Sequence, residues 1–366
     1  MRKVPQILAV IGVLLCLLTC VVVAFMWSNR SAENEWSPVW SSNQHYIAYE
    51  CMFFEQADLL DLDEYSWFGK NDICIFNRDN NKVTRLTTER GMSPPAWSPD
   101  GTMLAWFNGV GITLWNMSTN QFQYFNAGRQ SHELDRPLEW SQDGRKIFMQ
   151  GDGAVFDVKQ KVFLDPLLIS SDPDNCCFTW SPDGRYVAYK RVFLKDSSGY
   201  HRQVVIMQND QTLFTSDLEI GLDDPLRWSP DNSLLAWAAT IDSKTVASQY
   251  KLALTDAAGQ NTRYITFGRG IFGISTIAWS PSGNQIAVRF WDKIQIVNLS
   301  SIVSSETDVT IQKENLTLQG SSPNGLSWSP DEQYIAYETN WEPYSQIWIL
   351  EPSTNVQVPL ISRFGD

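Results

Sequence analysis

Three histidines, His45, His132 and His201, are the side chains of this chain best suited to bind a transition metal. A metal site needs several ligands at one point, so these rings matter only if the fold brings them together. A serine nucleophile of the hydrolase type would need a G-x-S-x-G elbow, and the sequence contains none. The sequence therefore argues against a serine hydrolase and makes a metalloenzyme depend on topology.

Acidic side chains cluster at two places where they could hold Ca²⁺, a cation that accepts irregular cages of oxygen ligands. Their members are Asp58, Asp61, Asp63, Glu64, Asp172 and Asp174. Neither group has the glycine and terminal glutamate of a calcium-binding loop. We therefore expect solvated acidic loops and neither a metal nor a cofactor.

Four cysteines lie outside the hydrophobic N-terminal segment. Cys51 and Cys74 fall on neighbouring predicted strands, where a disulfide would close the insertion at 53–72; two buried thiols are the alternative. The adjacent residues Cys176 and Cys177 favour packed thiols over a strained vicinal disulfide. No C-x-x-C pair or His-Cys cluster occurs, so a structural zinc site has no support.

Net charge narrows the range of partners. The chain carries a formal charge of −13, and because residues 1–35 hold three basic and two acidic side chains, the remainder carries −14. Such an acidic body repels phosphate backbones, and no basic stripe offsets it. We therefore expect no nucleic-acid partner.

The N-terminal segment is predicted to anchor the chain in a membrane. Residues 7–27 carry no charge and, as a helix, would cross a bilayer core. Arg2 and Lys3 precede this segment and orient it, which predicts a cytoplasmic tail at 1–6, a transmembrane signal-anchor at 7–27, a linker at 28–35 and an extracytoplasmic body. The alternatives are a signal cleaved near Val22-Val23-Ala24 and a lipoprotein modified at Cys20.

One ten-residue motif occurs seven times, and the seven copies align without a gap. It starts at Trp40, Trp97, Trp140, Trp180, Trp228, Trp279 and Trp328. Serine follows the tryptophan in all seven copies, and the eighth residue after it is alanine in six copies and Phe148 in the other. The common continuation Ser-Pro-Asp-Gly suits a tight β-turn, because proline presets φ and glycine accepts a positive φ. Gln44 and Glu332 replace that glycine in the first and last copies, which predicts distorted turns there.

Each copy of the motif predicts two strands joined by the turn, and two further strand-like segments follow it. Each unit is therefore predicted to be a four-stranded meander. The run beyond the turn is too uniformly apolar for a strand with one solvent-exposed face, which predicts burial between neighbouring sheets. The small alanine leaves room for the tryptophan of the adjacent unit. Successive tryptophans are 40 to 57 residues apart, near the period of about 40 to 50 residues of propeller blades. Residues 36–366 thus predict an all-β, seven-bladed β-propeller of four-stranded antiparallel blades, preceded by one N-terminal transmembrane helix. Its closure is expected to rest on packing between the first and last blades.

These repeats resemble those of the TolB-like, WSPDG-repeat (WD-repeat-like) β-propellers, which carry the same turn, over about nine-tenths of the chain. The resemblance implies an exported propeller. It says little about function, because one fold hosts many activities. A permanently anchored chain with seven units departs from the family's soluble six-bladed member, so that protein's lipoprotein partner is not carried over.

The meander also separates the histidines. In a propeller, the turns between the first and second strands of each unit lie on one face of the ring. The connection from the second strand to the third (b-c) and the connection from the fourth strand to the next unit (d-a) lie on the opposite face. His45 falls on the first face, His132 and His201 on the second. The three rings cannot converge, so we expect surface or turn histidines rather than a metal site.

Long connections with aromatic residues predict a binding face. The b-c connections at 53–72, 191–202, 240–249 and 338–345 and the d-a connection at 126–137 share one face, while the other has mostly tight turns apart from 298–314. Long loops on a rigid scaffold commonly bind partners. The candidate anchors are Tyr65, Trp67, Phe68, Tyr200, Trp341 and Tyr344. The alternative is that these rings pack over the blade edges.

The sequence thus predicts a membrane-anchored binding or scaffold module for a protein, peptide or glycan, and no enzyme. The alternative is an extracytoplasmic carbohydrate-active enzyme on a propeller scaffold. Such an enzyme would need paired carboxylates or a metal near the axis.

Overall fold

The computed structural model describes residues 34–52, 71–88, 93–128, 137–150, 153–164, 175–197, 199–221, 225–240, 250–267, 273–290, 292–301, 308–311, 316–318, 325–341 and 344–360. The predicted tail and transmembrane segment lie outside them. Among these residues, no helix has the length and apolar character needed to cross a membrane. The described chain consists of β-strands with one short 3-10 turn at Leu299–Ser301, which confirms the all-β prediction for the body.

Units 1 to 3 are separate four-stranded antiparallel meanders. Unit 1 contains β1 (Asn34–Trp40), β2 (Tyr46–Met52), β3 (Asp72–Asn77) and β4 (Lys82–Arg85). Unit 2 contains β5 (Ala96–Trp97), β6 (Met103–Phe107), β7 (Gly111–Asn116) and β8 (Gln121–Asn126). Unit 3 contains β9 (Leu138–Trp140), β10 (Lys146–Met149), β11 (Val155–Asp157) and β12 (Val162–Leu164).

Units 4 and 5 belong to one nine-stranded sheet, joined through a single bridge between Glu219 and Thr240. Unit 4 contains β13 (Asn175–Trp180), β14 (Val187–Asp196), β15 (Gly199–Gln208) and β16 (Gln211–Glu219). Unit 5 contains β17 (Leu226–Trp228), β18 (Leu234–Thr240), β19 (Tyr250–Asp256) and β20 (Thr262–Phe267).

Units 6 and 7 are again four-stranded meanders. Unit 6 contains β21 (Thr276–Trp279), β22 (Gln285–Phe290), β23 (Lys293–Asn298) and β25 (Leu316–Thr317). Unit 7 contains β26 (Leu326–Trp328), β27 (Ile335–Trp341), β28 (Tyr344–Glu351) and β29 (Val356–Pro359). Between β23 and β25, the strand β24 (Asp308–Ile311) pairs in parallel with β20 of unit 5. The predicted excursion at 298–314 therefore extends the edge of a neighbouring unit.

Two boundaries differ from the sequence prediction. β1 begins at Asn34, so it includes the last two residues of the predicted linker, and Glu35 is buried. The predicted loop at 191–202 is instead a hairpin, in which β14 and β15 pair from Val187 with Met207 to Asp196 with Gly199. Strand pairing continues past the buried part of the sheet, since residues 194–196 of β14 are exposed and still pair with β15.

The second strand of each unit supplies the core. All six repeat alanines are fully buried: Ala48, Ala105, Ala188, Ala236, Ala287 and Ala336. Ala188 of unit 4 belongs to the same buried cluster as Trp228 of unit 5, in agreement with the expected fit of alanine against tryptophan. Where Phe148 replaces the alanine, its ring stacks on Trp180 of the next unit with the centroids 5.3 Å apart.

The repeated turn has the same geometry in every unit. In the second unit, Ser98 O accepts the Gly101 N–H at 2.8 Å, while Ser98 Oγ accepts the Met103 N–H at 2.9 Å. The expected distortion at Gln44 and Glu332 is wrong: their φ angles are 66° and 60°, and each N–H reaches the turn serine carbonyl as glycine does. The surrounding bonds impose the left-handed conformation on both side chains.

In four units, the indole N–H of the repeated tryptophan donates a hydrogen bond to a backbone carbonyl of the preceding unit. The bonds run from Trp140 to Ala96 O (3.0 Å), from Trp228 to Thr179 O (3.2 Å), from Trp279 to Arg227 O (3.2 Å) and from Trp328 to Ala278 O (3.1 Å). Each acceptor is the residue just before the tryptophan of the preceding unit. These tryptophans are therefore structural, with both ring and N–H used between sheets.

The repeated turns also contact one another. Gln142 N–H donates to Pro182 O at 2.7 Å and Asp183 N–H to Asn232 Oδ1 at 2.8 Å. Ser282 N–H donates to Glu332 Oε1 at 2.5 Å. Glycines of three turns face the preceding turn: a Cβ added at Gly101 would lie 2.6 Å from Ser42 Oγ, one added at Gly144 would lie 3.8 Å from Pro99 Cδ, and one added at Gly283 would lie 3.8 Å from Pro230 Cδ.

The last unit contacts the first. The Gln44 amide, oriented by its partners, donates to Asp331 Oδ2 at 3.0 Å. Glu338 Oε2 accepts the Ser37 N–H at 2.9 Å, and Glu35 Oε2 accepts the Ile347 N–H at 3.1 Å. Within the described residues, neither unit lends a strand to the sheet of the other. Side chains, rather than a shared strand, join the two units.

Candidate functional site

Three of the sequence-predicted anchors lie at the ends of paired second and third strands. Tyr65, Trp67 and Phe68 fall outside the described residues. Trp341 and Tyr344 are partners in register at the tip of the β27–β28 hairpin. Tyr200, near the tip of the β14–β15 hairpin, is 57% exposed.

Both hairpins project from the same end of their sheets. In an antiparallel meander, the connection between the second and third strands lies at the end opposite the connection between the first and second. The Ser-Pro-Asp-Gly turns therefore occupy one end, and the tips at 196–199 and 341–344 occupy the other. We call this second end the hairpin face.

The β14–β15 hairpin exposes an apolar and basic surface. Phe193 and Leu194 are 47% and 46% exposed. Lys195 Nζ lies 4.9 Å from the centroid of the Tyr200 ring, and the Arg202 guanidinium carbon lies 5.4 Å from it. A tyrosine flanked by two cations is suited to a partner that offers an apolar contact beside a negative charge.

His201 connects this hairpin to the rest of unit 4. Its Nε2 lies 3.1 Å from Asp196 Oδ1 and its Nδ1 lies 3.0 Å from Glu219 Oε2. The hydrogen bonds that the ring makes to the carboxylates of Glu219, which has the larger effect, and of Asp196 raise the pKa of His201. The expectation of a surface histidine is wrong here, because the ring is buried. His45 is exposed and pairs with Asp79, as expected for a turn residue, and His132 lies outside the described residues.

A belt of buried polar side chains lies along the second strands, on the side of the hairpin face. Ten residues after the repeated tryptophan, five units carry a polar residue that is at most 6% exposed: Glu50, Gln150, Lys190, Arg289 and Glu338. Sequence reasoning missed this belt because each residue was read within its own strand. The shared repeat position was the available signal.

On one side of the belt, Arg289 joins units 6 and 7. Its Nη2 donates to Glu338 O at 2.7 Å and its Nη1 to Gly325 O at 3.1 Å. Burial lowers the pKa of Arg289 to about 10, against the opposing effect of Glu338. Because Glu338 also accepts the Ser37 N–H, three successive units meet at this carboxylate and guanidinium.

On the other side, Glu139 lies in a network that spans units 3 to 5. Gln150 Nε2 donates to Glu139 Oε1, and Thr179 Oγ1 donates to Glu139 Oε2 at 3.2 Å. Arg227 Nη1 reaches Gln150 Oε1 at 3.4 Å, across unit 4. Burial raises the pKa of Glu139, while Arg227 opposes that rise. These contacts join β9, β13 and β17, the first strands of units 3, 4 and 5, and the end of β10. The network therefore stabilises the packing of these units against one another.

The four body cysteines differ in state. Cys51 and Cys74 are joined by a disulfide, with their Cα atoms 5.9 Å apart. Cys176 and Cys177 are thiols whose Sγ atoms lie 2.6 Å apart. Within the described parts of the chain, no group of three histidine, cysteine or acidic side chains is placed to hold one metal ion.

Comparison with known proteins identifies the fold. No family model matches the chain. No curated protein matches it by sequence. Among solved structures, it is similar to hydrazine synthase of Kuenenia stuttgartiensis (TM-score 0.61, 13% identity, covering 86% of this chain and 95% of that one). It is also similar to the β-propeller domain of the Trilobed protease from Pyrococcus furiosus (TM-score 0.55, 13% identity, 90% and 96%) and to oligogalacturonate lyase from Vibrio parahaemolyticus (TM-score 0.57, 10% identity, 89% and 93%). The body thus has a β-propeller fold.

Proposed function

We propose that this chain is a membrane-anchored, extracytoplasmic β-propeller of the TolB-like kind that binds a protein, peptide or glycan on its hairpin face. The observation that carries the proposal is the exposed Tyr200 between two cations on the β14–β15 hairpin, at the end of the sheets opposite the tight turns. Tyrosine and arginine are enriched among the residues that carry most of the binding energy at protein interfaces. No catalytic role is proposed.

A seven-bladed ring is the architecture that this proposal assumes. Hydrogen bonds join the turns of units 3 and 4, units 4 and 5, and units 6 and 7, and Gln44 in the first unit contacts Asp331 in the last. Such a succession of contacts supports a closed ring with seven blades. The propeller in the Trilobed protease from Pyrococcus furiosus is described as having an open velcro topology, and the joint between units 1 and 7 supports the same topology here.

The partner is inferred to be acidic at its point of contact. The body as a whole is strongly negative, so the cations beside Tyr200 form a local exception that would select an acidic peptide or anionic glycan. The membrane anchor rests on the uncharged segment at 7–27 and the basic residues before it. The disulfide between Cys51 and Cys74 supports an oxidising compartment outside the cytoplasm.

The proposal is tested with the full chain in detergent, presented to acidic and basic peptides and to neutral and anionic polysaccharides. We expect acidic or anionic members to bind and the variant Tyr200→Ser/Trp341→Ser/Tyr344→Ser to lose that binding. The matched control is Phe122→Ser/Tyr124→Ser on β8, where two aromatic rings are 49% and 50% exposed away from the hairpin face. Equal loss in both variants would contradict the proposed face. Cleavage of a polysaccharide would favour the alternative, a carbohydrate-active enzyme.

A further inference from the structure

The adjacent cysteines of unit 4 lie at an irregular point of its first strand. Cys176 is the register partner of Lys190, and the next regular pair is Thr179 with Ala188, so the strand bulges between them. Cys177 has a φ of 61°, in the left-handed region that few residues other than glycine adopt. The bulge brings two neighbouring side chains together that would point to opposite faces of a regular strand.

The same backbone feature occurs without cysteine elsewhere in the protein. β1 has a register shift between Trp36 and Val39, and Ser37 there has a φ of 51°. Ser37 and Cys177 both lie three residues before their repeated tryptophan, and Gly325 holds that position in unit 7 with a φ of 63°. Since serine occupies this place in the bulge of β1, and glycine occupies the same repeat position with a positive φ in unit 7, the fold does not require thiols here.

The two sulfur atoms are close to bonding distance. Their separation of 2.6 Å exceeds the length of a disulfide bond by about half an ångström. Cys176 is half-buried and Cys177 is buried, so Cys176 is the more accessible of the two residues.

We propose that Cys176 and Cys177 form a redox-active pair that closes to a vicinal disulfide. The oxidant is a small-molecule disulfide. The hydrogen bond with Cys177 and burial raise the pKa of the Cys176 thiol, so loss of its proton is favoured by alkaline pH. The Cys176 thiolate then attacks one of the sulfur atoms of the oxidant, which forms a mixed disulfide and releases one thiol. Cys177, after losing its proton, then attacks the Cys176 sulfur and releases the second thiol. Overall, two cysteine thiols are oxidised and one external disulfide is reduced to two thiols.

Formation of the Cys176–Cys177 disulfide would affect contacts between units 3, 4 and 5. Thr179, two residues after Cys177, holds Glu139 through its side chain and accepts the Trp228 indole N–H through its carbonyl. A ring closed at 176–177 restrains the strand that carries both contacts. The pair is therefore a modification site at the base of the β14–β15 hairpin, where Cys176 pairs in register with Lys190.

The test uses the full chain, treated with glutathione disulfide, denatured, alkylated without reductant and mapped by mass spectrometry. We expect the peptide containing residues 176 and 177 to be unalkylated and lighter by two hydrogen atoms, and to take two alkyl groups only after reduction. The Cys51–Cys74 disulfide, read in the same map, is the internal control for oxidation.

Two outcomes would overturn the proposal. One is alkylation of both Cys176 and Cys177 while Cys51 and Cys74 remain bonded; the other is a lasting glutathione adduct on one cysteine. The variant Cys177→Ser, placed in a position that serine occupies in unit 1, should keep a single glutathione on Cys176, because no second thiol can displace it. Should that variant fold poorly, the wild-type map alone decides.

Discussion

Single residues in equivalent repeat positions can be compared directly. Trp228 donates its indole N–H to Thr179 O, whereas the indole nitrogen of Trp180 has no acceptor among the described residues. Phenylalanine keeps much of the ring and removes the donor. We therefore expect Trp228→Phe to lower the free energy of unfolding by about 1 kcal/mol more than Trp180→Phe does. Urea titration of both variants measures the difference, and equal losses would show that the indole bonds contribute nothing to stability.

His201 predicts a pH dependence of stability. Its pKa is raised in the folded protein by Glu219 and Asp196, so the protonated ring stabilises the fold. That contribution is fully present below the unfolded pKa of about 6.5 and is lost as pH rises through the higher folded value. The difference in unfolding free energy between wild type and His201→Gln should therefore shrink with rising pH, measured by urea titration at several pH values. Glu219→Gln should weaken the trend, and a difference that grows with pH would contradict this account.

At the scale of elements, the start of β26 tests how closely units 6, 7 and 1 are fitted. Gly325 has a φ of 63°, and a Cβ added there would lie 2.5 Å from Glu338 Oε2. Gly128 has a φ of 70° and open space around it. Gly128→Ala should cost about 1 to 2 kcal/mol from the backbone alone, and Gly325→Ala should cost clearly more, because Glu338 must also move. Thermal and urea unfolding of both variants provide the measurement.

The strands and turns also show which features of the fold could be predicted from the sequence. The motif that starts at each repeated tryptophan was enough to predict the first two strands of each unit and the turn between them. The pattern of apolar residues and the residues that favour a turn are both local features of the sequence. Gln44 and Glu332 were misjudged because their backbone conformation is set by bonds to Ser41 and Ser329 rather than by their own preference. The pairing of β24 with β20 depends on a contact between units, which no local pattern encodes.

For the whole molecule, β1 joins the two ends of the body. We expect residues 34–366, without the segment before them, to form a soluble monomer with a β-type circular dichroism spectrum and one cooperative urea transition. A chain that starts at residue 42 lacks β1 and with it the contacts of Glu35 and Ser37 to unit 7. It should unfold at lower urea concentration and with a broader transition. Indistinguishable transitions would show that the joint between units 1 and 7 contributes little.

The candidate site was predictable only in part. Tyr200 was identified from its aromatic character and its place on a long connection. The flanking by Lys195 and Arg202 follows from the hairpin geometry, which was read as a loop. The belt through Arg289 and Glu338 was hidden because burial of a charge depends on partners in other units, and sequence distance says nothing about those partners.

The joint between the first and last units also has a mechanical consequence. The chain before residue 34 continues directly into β1, so a pulling force applied there acts first on the strand that closes the body. The ladder between β1 and β2 holds β1 in unit 1, whereas side-chain contacts such as those of Glu338 and Glu35 hold unit 1 against unit 7, and no strand crosses from one sheet to the other within the described residues. Under load, the body should therefore open at this seam, with unit 1 separating from unit 7 while units 2 to 6 stay folded.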